Sequence, residues 1–273
     1  MQIEIDRFKS EWDEKGFFIV PQLFDAELVT QTRKICDDIF KQWLAESSNR
    51  QRAANNTNMA FMTESRYFKN NPESRRLFLE TIANEKILNI FKSIFNAEPL
   101  FHNTQYFFEP ANETRAGNWH RDQQFISSND EKEKATMSQI GLHVHIALVP
   151  DDNLEIVSGT HIRYDNGEEY EIRKGLYGKK PNDEIPWATR VSLNAGDACF
   201  FSAWCLHRGN YIAGKIRRTF DVIYGVKPSA YTPPPMGFLE NGFIDNLNPI
   251  ARSFFERFIN AYKEKWKRGE YEK

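Results

Sequence analysis

Between residues 137 and 149 the spacing of apolar residues falls from the three-or-four of a helix to two, and this most constrains the fold. Leu142, Val144, Ile146 and Leu148 alternate with His143, His145 and Ala147. A strand of this kind has one apolar face to bury and an opposite face that carries two imidazoles. Residues 101–108, 154–157, 191–193, 198–203 and 219–226 read as further strands. Upstream the spacing is helical. Asp25 is placed to cap a helix whose apolar face is Leu28, Thr32, Ile35, Ile39 and Trp43. Two more helices are predicted at 72–81 and 84–96. A short helical start leads to the apolar run Gly16-Phe17-Phe18-Ile19-Val20, and the polar, asparagine-rich stretch 47–57 reads as a loop.

Helices first and strands after them suit a helix-buttressed antiparallel barrel or sandwich better than a βαβ fold. The expected organisation is one domain over residues 1–273: N-terminal helices, a barrel core at about 100–228 and a C-terminal helix at about 247–267. A turn at Tyr231-Thr232-Pro233-Pro234-Pro235 precedes that last helix. Its stripe of Ile250, Phe254, Phe258, Tyr262 and Trp266, widened by Phe255 and Ile259, either docks onto the barrel or forms a homodimer contact. The charged segment 162–187 reads as an insertion at the barrel mouth, where loops commonly carry specificity.

With 40% hydrophobic and 14% aromatic residues the chain is of folded composition. Its formal net charge of −2, with both signs mixed, offers no general attraction to nucleic acid or to an anionic membrane. No run resembles a signal peptide or a membrane span, so a cytoplasmic protein is expected. Three cysteines, Cys36, Cys199 and Cys205, are an odd number and read as buried free thiols.

Chemistry concentrates in Trp119-His120-Arg121-Asp122 and, far downstream, His207. A histidine and a carboxylate two residues apart on an extended segment share a side. A second histidine from a distant strand completes a three-ligand face with open positions, which suits Fe(II). A lone His-X-Asp is more often an ordinary hydrogen-bonded pair, and zinc competes for the same donors. Gly117-Asn118 supplies a turn before His120. Asn194-Ala195-Gly196-Asp197 turns into an apolar strand whose far end delivers His207.

Several motifs in order extend this reading: Gly16 to Val20, Trp119 to Asp122, Leu154-Glu155-Ile156-Val157-Ser158-Gly159-Thr160-His161, Gly196-Asp197, and His207-Arg208-Gly209-Asn210 followed by Arg218. Together they resemble the phytanoyl-CoA dioxygenase family of Fe(II)- and 2-oxoglutarate-dependent oxygenases, over about residues 8–226. The resemblance implies a mostly β fold with flanking helices, a double-stranded β-helix of the jelly-roll, cupin-like kind. It implies that His120, Asp122 and His207 hold iron, with 2-oxoglutarate and molecular oxygen as cosubstrates. Arg218 is expected to bind the far carboxylate of 2-oxoglutarate, while Arg217, next to it on a strand, faces away. Gln105 and His145 are candidate cosubstrate contacts. His143, Arg115 and Arg163, and less directly Arg66, are candidates for the substrate. The arginines would favour an anionic or amino-acid-like one.

Some positions depart from the family pattern. Ser158 replaces a proline, Asp152 a glycine, and Gly209 stands where some relatives use a serine on the cosubstrate. Asp122 is retained, whereas halogenating relatives replace it, so the implied reaction is hydroxylation through an iron(IV)-oxo species. The implied substrate is a small molecule: an amino acid, an organic acid or a specialised metabolite. Desaturation, cyclisation or epimerisation by the same cycle is the alternative, and a nonredox metal-binding cupin-like protein is a third. No nucleic-acid or membrane partner is expected.

Overall fold

The computed structural model describes residues 2–55, 57–229 and 232–271; Tyr231, first residue of the expected turn, lies outside them. Along the chain come α1 (Gln2–Lys15), β1 (Phe17–Val20), α2 (Ala26–Ala45), α3 (Ser47–Asn55), β2 (Asn58–Ala60), α4 (Pro72–Ile82) and α5 (Glu85–Phe95). Then follow β3 (Leu100–Phe107), β4 (Arg115–Ala116), α6 (Asp130–Ala135), β5 (Gly141–Ala147), β6 (Asp151–Val157), α7 (Gly167–Lys174), β7 (Thr189–Leu193), β8 (Ala198–Ser202), β9 (Leu206–Tyr211), β10 (Thr219–Gly225) and α8 (Pro249–Lys267).

Helix starts follow capping chemistry. Asp25 accepts the Leu28 N–H at 2.9 Å, and Asn71, Asn84 and Asn248 cap α4, α5 and α8 in the same way. The segment expected to be a loop at 47–57 instead forms α3. Asn49 reaches back to the Trp43 carbonyl and Arg50 to those of Leu44 and Ala45, all in the last turn of α2. This stabilisation comes from side chains bonding a neighbouring helix, so no apolar period announces it.

The strands form two antiparallel sheets, ordered β1-β8-β5-β10-β3-β2 and β4-β9-β6-β7. β5 and β10 are central in the first sheet, and their residues alternate as expected. Leu142, Val144, Ile146, Phe220, Val222 and Tyr224 face the helices and join the main core. His143, His145 and Asp221 face the second sheet. Phe17, Ala147, Cys199 and Phe201 of the first sheet pack there on Leu154, Ile156, Val191 and Leu193 of the second. The layers are therefore helices, six-stranded sheet, four-stranded sheet.

The expectation of a mostly β, closed jelly roll is corrected. Helix accounts for 39% of the chain and strand for 21%, and the sheets are open. Alternation reveals which way a strand faces but not whether the end strands of a sheet meet. Here β1 and β2 end one sheet and β4 and β7 the other without joining. The strand at 198–203 does not carry His207 either. β8 stops at Ser202, the chain turns, and His207 is the second residue of β9 in the other sheet.

The apolar face of α8 is buried within the chain. Phe254, Phe255, Phe258 and Tyr262 are fully buried, and Phe101 of β3 sits edge-on to Phe254, Phe255 and Phe258. Most of that stripe packs on the chain's own sheet, while Ile250 at its start is 42% exposed. No helix among the described residues is long and apolar enough to cross a membrane. Phe258 also touches Phe238, Tyr262 and Trp266. Phe258→Ala is accordingly expected to cost about 3–5 kcal/mol, read as a lower midpoint in denaturant unfolding; a loss near zero would mean that α8 is not part of the cooperative core.

Candidate metal centre

Two backbone hydrogen bonds set the centre. The His120 N–H donates to the His207 carbonyl and the His207 N–H to that of His120, both at 3.0 Å. This pairing lays the segment before Asp122 alongside β9. Gly117 extends it by donating to the Gly209 carbonyl at 2.8 Å. A Cβ on Gly117 would stand 2.5 Å from that same oxygen, so the approach requires glycine. Asp122 opens a short 3-10 turn over Asp122–Phe125, and its N–H donates to the Ala203 carbonyl at 3.2 Å.

Each histidine is oriented by its own neighbour. His120 Nδ1 lies 2.9 Å from the Asn118 carbonyl, and His207 Nδ1 lies 2.9 Å from that of Cys205. A carbonyl only accepts, so both Nδ1 atoms carry the proton and both Nε2 lone pairs are free to ligate. Each Nε2 is 3.8 Å from Asp122 Oδ1, and one ligand atom from each of the three residues lies within 4.8 Å of the others. Two imidazoles and one carboxylate facing a common point fit a divalent metal such as Fe(II). Burial, then the proximity of His120, lowers His207 to about 3, so a proton does not compete for its nitrogen at neutral pH. Burial opposes ionisation of Asp122, yet His143, with His207 and His120, holds its carboxyl well below the usual range.

Behind the centre runs a buried line of polar groups that the sequence analysis did not assemble. His143 Nε2 lies 2.6 Å from Asp122 Oδ2, and its Nδ1 lies 3.0 Å from Asp221 Oδ2. Asp221 is also 3.6 Å from His145 Nδ1, and His145 Nε2 is 3.4 Å from Asp151. Arg217 Nη2 then donates to Asp151 at 3.3 Å. Burial alone would push His143 down; Asp221 and Asp122 on either side raise it instead to about 10. His145 is raised for the same kind of reason, its carboxylates outweighing burial.

Expected site residues separate on this map. Arg218 points away from the inner space and pairs with Asp37 at 2.9 Å and with Glu109. Arg217 is the arginine on the inner face. It is 3% exposed, lies over the rings of Phe107 and Tyr211, and leaves Nε and Nη1 without partners among the described residues. Strand parity was the available signal, since Arg217 falls in step with Thr219 and Asp221 on β10. Gln105, opposite Asp221 in the register, accepts a hydrogen bond from Asn58 and borders a cavity of about 400 Å³ beside Asp122 and His143. His145 is deeper, between Asp221 and Asp151. Arg115 lies on edge strand β4 over the Tyr211 ring. Arg163 is held by Glu169 at 2.6 and 2.8 Å, and Arg66 pairs with Glu46 and Glu64. None of these last three is among the residues that line the cavity.

Arg121 was also missed. Its side chain points backwards from the centre, fully buried, and donates to Asp165 at 2.8 and 2.9 Å, to the Thr160 carbonyl at 2.6 Å and to the Trp204 carbonyl. Asp165 in turn accepts from Arg173 of α7 at 2.6 Å, and Arg173 pairs with Glu133 at 3.0 Å. The segment 162–187 thus anchors the metal turn from behind. Residues flanked by a metal motif invite a reading as spacers, and only the fold brings Asp165 to Arg121.

A sequence model of the phytanoyl-CoA dioxygenase (PhyH) family matches residues 12–219. Solved structures are similar in fold. EctD from S. alaskensis with 2-oxoglutarate and 5-hydroxyectoine is 14% identical, with TM-score 0.61 over 89% of this chain and 81% of that one. The non-haem α-ketoglutarate-dependent epimerase SnoN from nogalamycin biosynthesis is 15% identical, with TM-score 0.57 over 82% and 83%. HygX from Streptomyces hygroscopicus, with nickel and 2-oxoglutarate bound, is 11% identical, with TM-score 0.57 over 82% and 87%. None of the curated proteins matches. The chain belongs to the phytanoyl-CoA dioxygenase family and, with its two histidines and one aspartate in place, is an Fe(II)/2-oxoglutarate-dependent dioxygenase.

The anchoring network yields a stability test. Asp165→Ala strands two fully buried guanidinium groups, Arg121 and Arg173, and is expected to cost about 3–5 kcal/mol in chemical denaturation. An unchanged midpoint would show that the network carries no net stability.

Proposed function

We propose that this member of the family hydroxylates a small polar metabolite, with Arg217 as the anchor of its 2-oxo acid cosubstrate. The observation that carries this reading is a buried guanidinium with two unpartnered nitrogens, on the same inner face as the line that leads to Asp122. An unpaired buried N–H is costly, and a carboxylate satisfies two at once with charge assistance. Asp151 takes one N–H of Arg217 and fixes its orientation, leaving the others to the ligand. Tyr211 lies against the same guanidinium, and its hydroxyl occupies the space over Gly209, 2.8 Å from where a Cβ would be. It is positioned to supply the hydroxyl contact that Gly209 lacks.

When bound, the iron would supply the oxidising chemistry with oxygen and the 2-oxo acid, 2-oxoglutarate being split to succinate and carbon dioxide. His120 and His207 offer fixed Nε2 donors, Asp122 offers Oδ1, and the protein positions substrate against them. The cavity beside Asp122 is the candidate substrate space. Its lining mixes three carboxamides (Gln105, Gln123, Gln139) and two hydroxyls (Ser138, Ser229) with Ile140, Ile223 and Val226. Lys227 stands at its edge as a cation. His102 accepts no charge there at neutral pH, because burial lowers it. Such a lining suits a molecule with several hydroxyl or amide groups and one anionic group. With Asp122 filling its ligand position, oxygen transfer is favoured over halogen transfer.

Anaerobic addition of Fe(II) and 2-oxoglutarate to the protein is expected to give a weak visible charge-transfer band, lost in His120→Ala and His207→Ala. Arg217→Ala should weaken 2-oxoglutarate binding at least tenfold, whereas Arg218→Ala should leave it near wild type; the opposite ranking would return the anchor to Arg218. In a metabolite screen, hydroxylation predicts one added oxygen in step with succinate. Loss of two hydrogens instead would replace it with desaturation or cyclisation.

A further inference from the structure

We propose that His143 is a positioning residue for the metal centre: held between Asp122 and Asp221, it takes the outer oxygen of Asp122 and leaves that carboxylate a one-oxygen ligand. This rests on the metal reading above. The two oxygens of Asp122 face different partners. Oδ1 looks towards His120 and His207, each Nε2 at 3.8 Å, while Oδ2 lies 2.6 Å from His143 Nε2. A carboxylate free to rotate can offer both oxygens to one metal; a carboxylate whose second oxygen is held cannot.

His143 is itself fixed from three directions. Its Nδ1 lies 3.0 Å from Asp221 Oδ2, and its ring stacks on Phe201 at 4.7 Å and 20°. Its position on central strand β5, bonded to β8 and β10 on either side, fixes the backbone. Asp221 comes from β10 and is almost fully buried, so His143 has little freedom to leave Asp122. Both ring nitrogens are therefore directed at carboxylates, and neither is offered to the neighbouring cavity. The expected substrate contact by His143 gives way to a role exerted through Asp122.

The test is made on full-length protein with Co(II) alone as the probe. His143→Gln keeps an N–H donor near Asp122, while His143→Leu removes it. The Leu change also strands Asp221, so His143→Leu/Asp221→Asn is measured beside it to separate folding from ligation. Both Leu-containing proteins are expected to bind Co(II) about 10–100-fold more weakly. Their visible Co(II) absorption should lose intensity as Asp122 turns to offer a second oxygen. The Gln variant should retain most of the affinity and the wild-type spectrum. Wild-type affinity and spectrum in a folded Leu variant, with binding still lost in His120→Ala, would overturn the role of His143 alone. Absence of Co(II) binding by the wild-type protein would overturn the metal site itself.

Discussion

The reciprocal backbone bonding of His120 and His207 is the constraint on which the rest depends. It brings together residues from opposite halves of the chain and sets two imidazoles side by side with ring centroids 4.3 Å apart. Left to themselves, two neutral imidazoles have no reason to hold lone pairs towards each other. The carbonyls of Asn118 and Cys205 impose that orientation, and β9 can supply His207 only because β6 pairs with it from the far side. Arg121 does for the turn what β6 does for the strand. Its guanidinium joins the metal loop, the turn before β9 and the 162–187 segment in one fully buried knot.

Two buried charge systems therefore flank one centre, and they differ in kind. The Arg121 network is closed: the guanidinium groups of Arg121 and Arg173 share Asp165, and the cluster reaches only protein groups. Such networks give little net stability compared with apolar packing, but removing one member is costly. The line from Asp122 to Arg217 is open at its far end, where Arg217 Nε and Nη1 have no partner among the described residues. A protein that gained nothing from that opening would be more stable with the nitrogens paired or absent. The unpaired end is the ground for proposing Arg217 as the cosubstrate anchor.

How much of this was legible follows from the range of the forces involved. The metal residues could be read because their chemistry is rare and their local motifs are short. The capped helices and the facing of His143 and His145 were legible because propensity and alternation act within a few residues. Closure of the barrel was not, since it depends on edges that never meet in sequence. α3 escaped because its stabilising bonds go to the end of α2. Arg217 and Arg218 illustrate the point most directly. Counting forward from His207 passes through an irregular turn after β9, whose length sets no register. Counting back from Asp221 to Thr219 stays within β10, and Arg217, two residues before the strand begins, keeps the same step and lies inside.

The inner face also divides its labour. His143 borders the cavity, whereas His145, Asp151 and Arg217 lie beyond it and are not among the residues lining it. The polar line thus runs from the proposed substrate space at Asp122 to the proposed cosubstrate anchor at Arg217. Much of the cavity lining comes from segments outside the central strands, at 123–126, 138–140 and 226–229. The residues at 138–140 and 226–229 lie outside the metal turn, whereas 123–126 continues it, with Phe125 against the His120 ring. The proposed substrate space and the metal ligands thus adjoin at Asp122, which both lines the cavity and belongs to the ligand cluster.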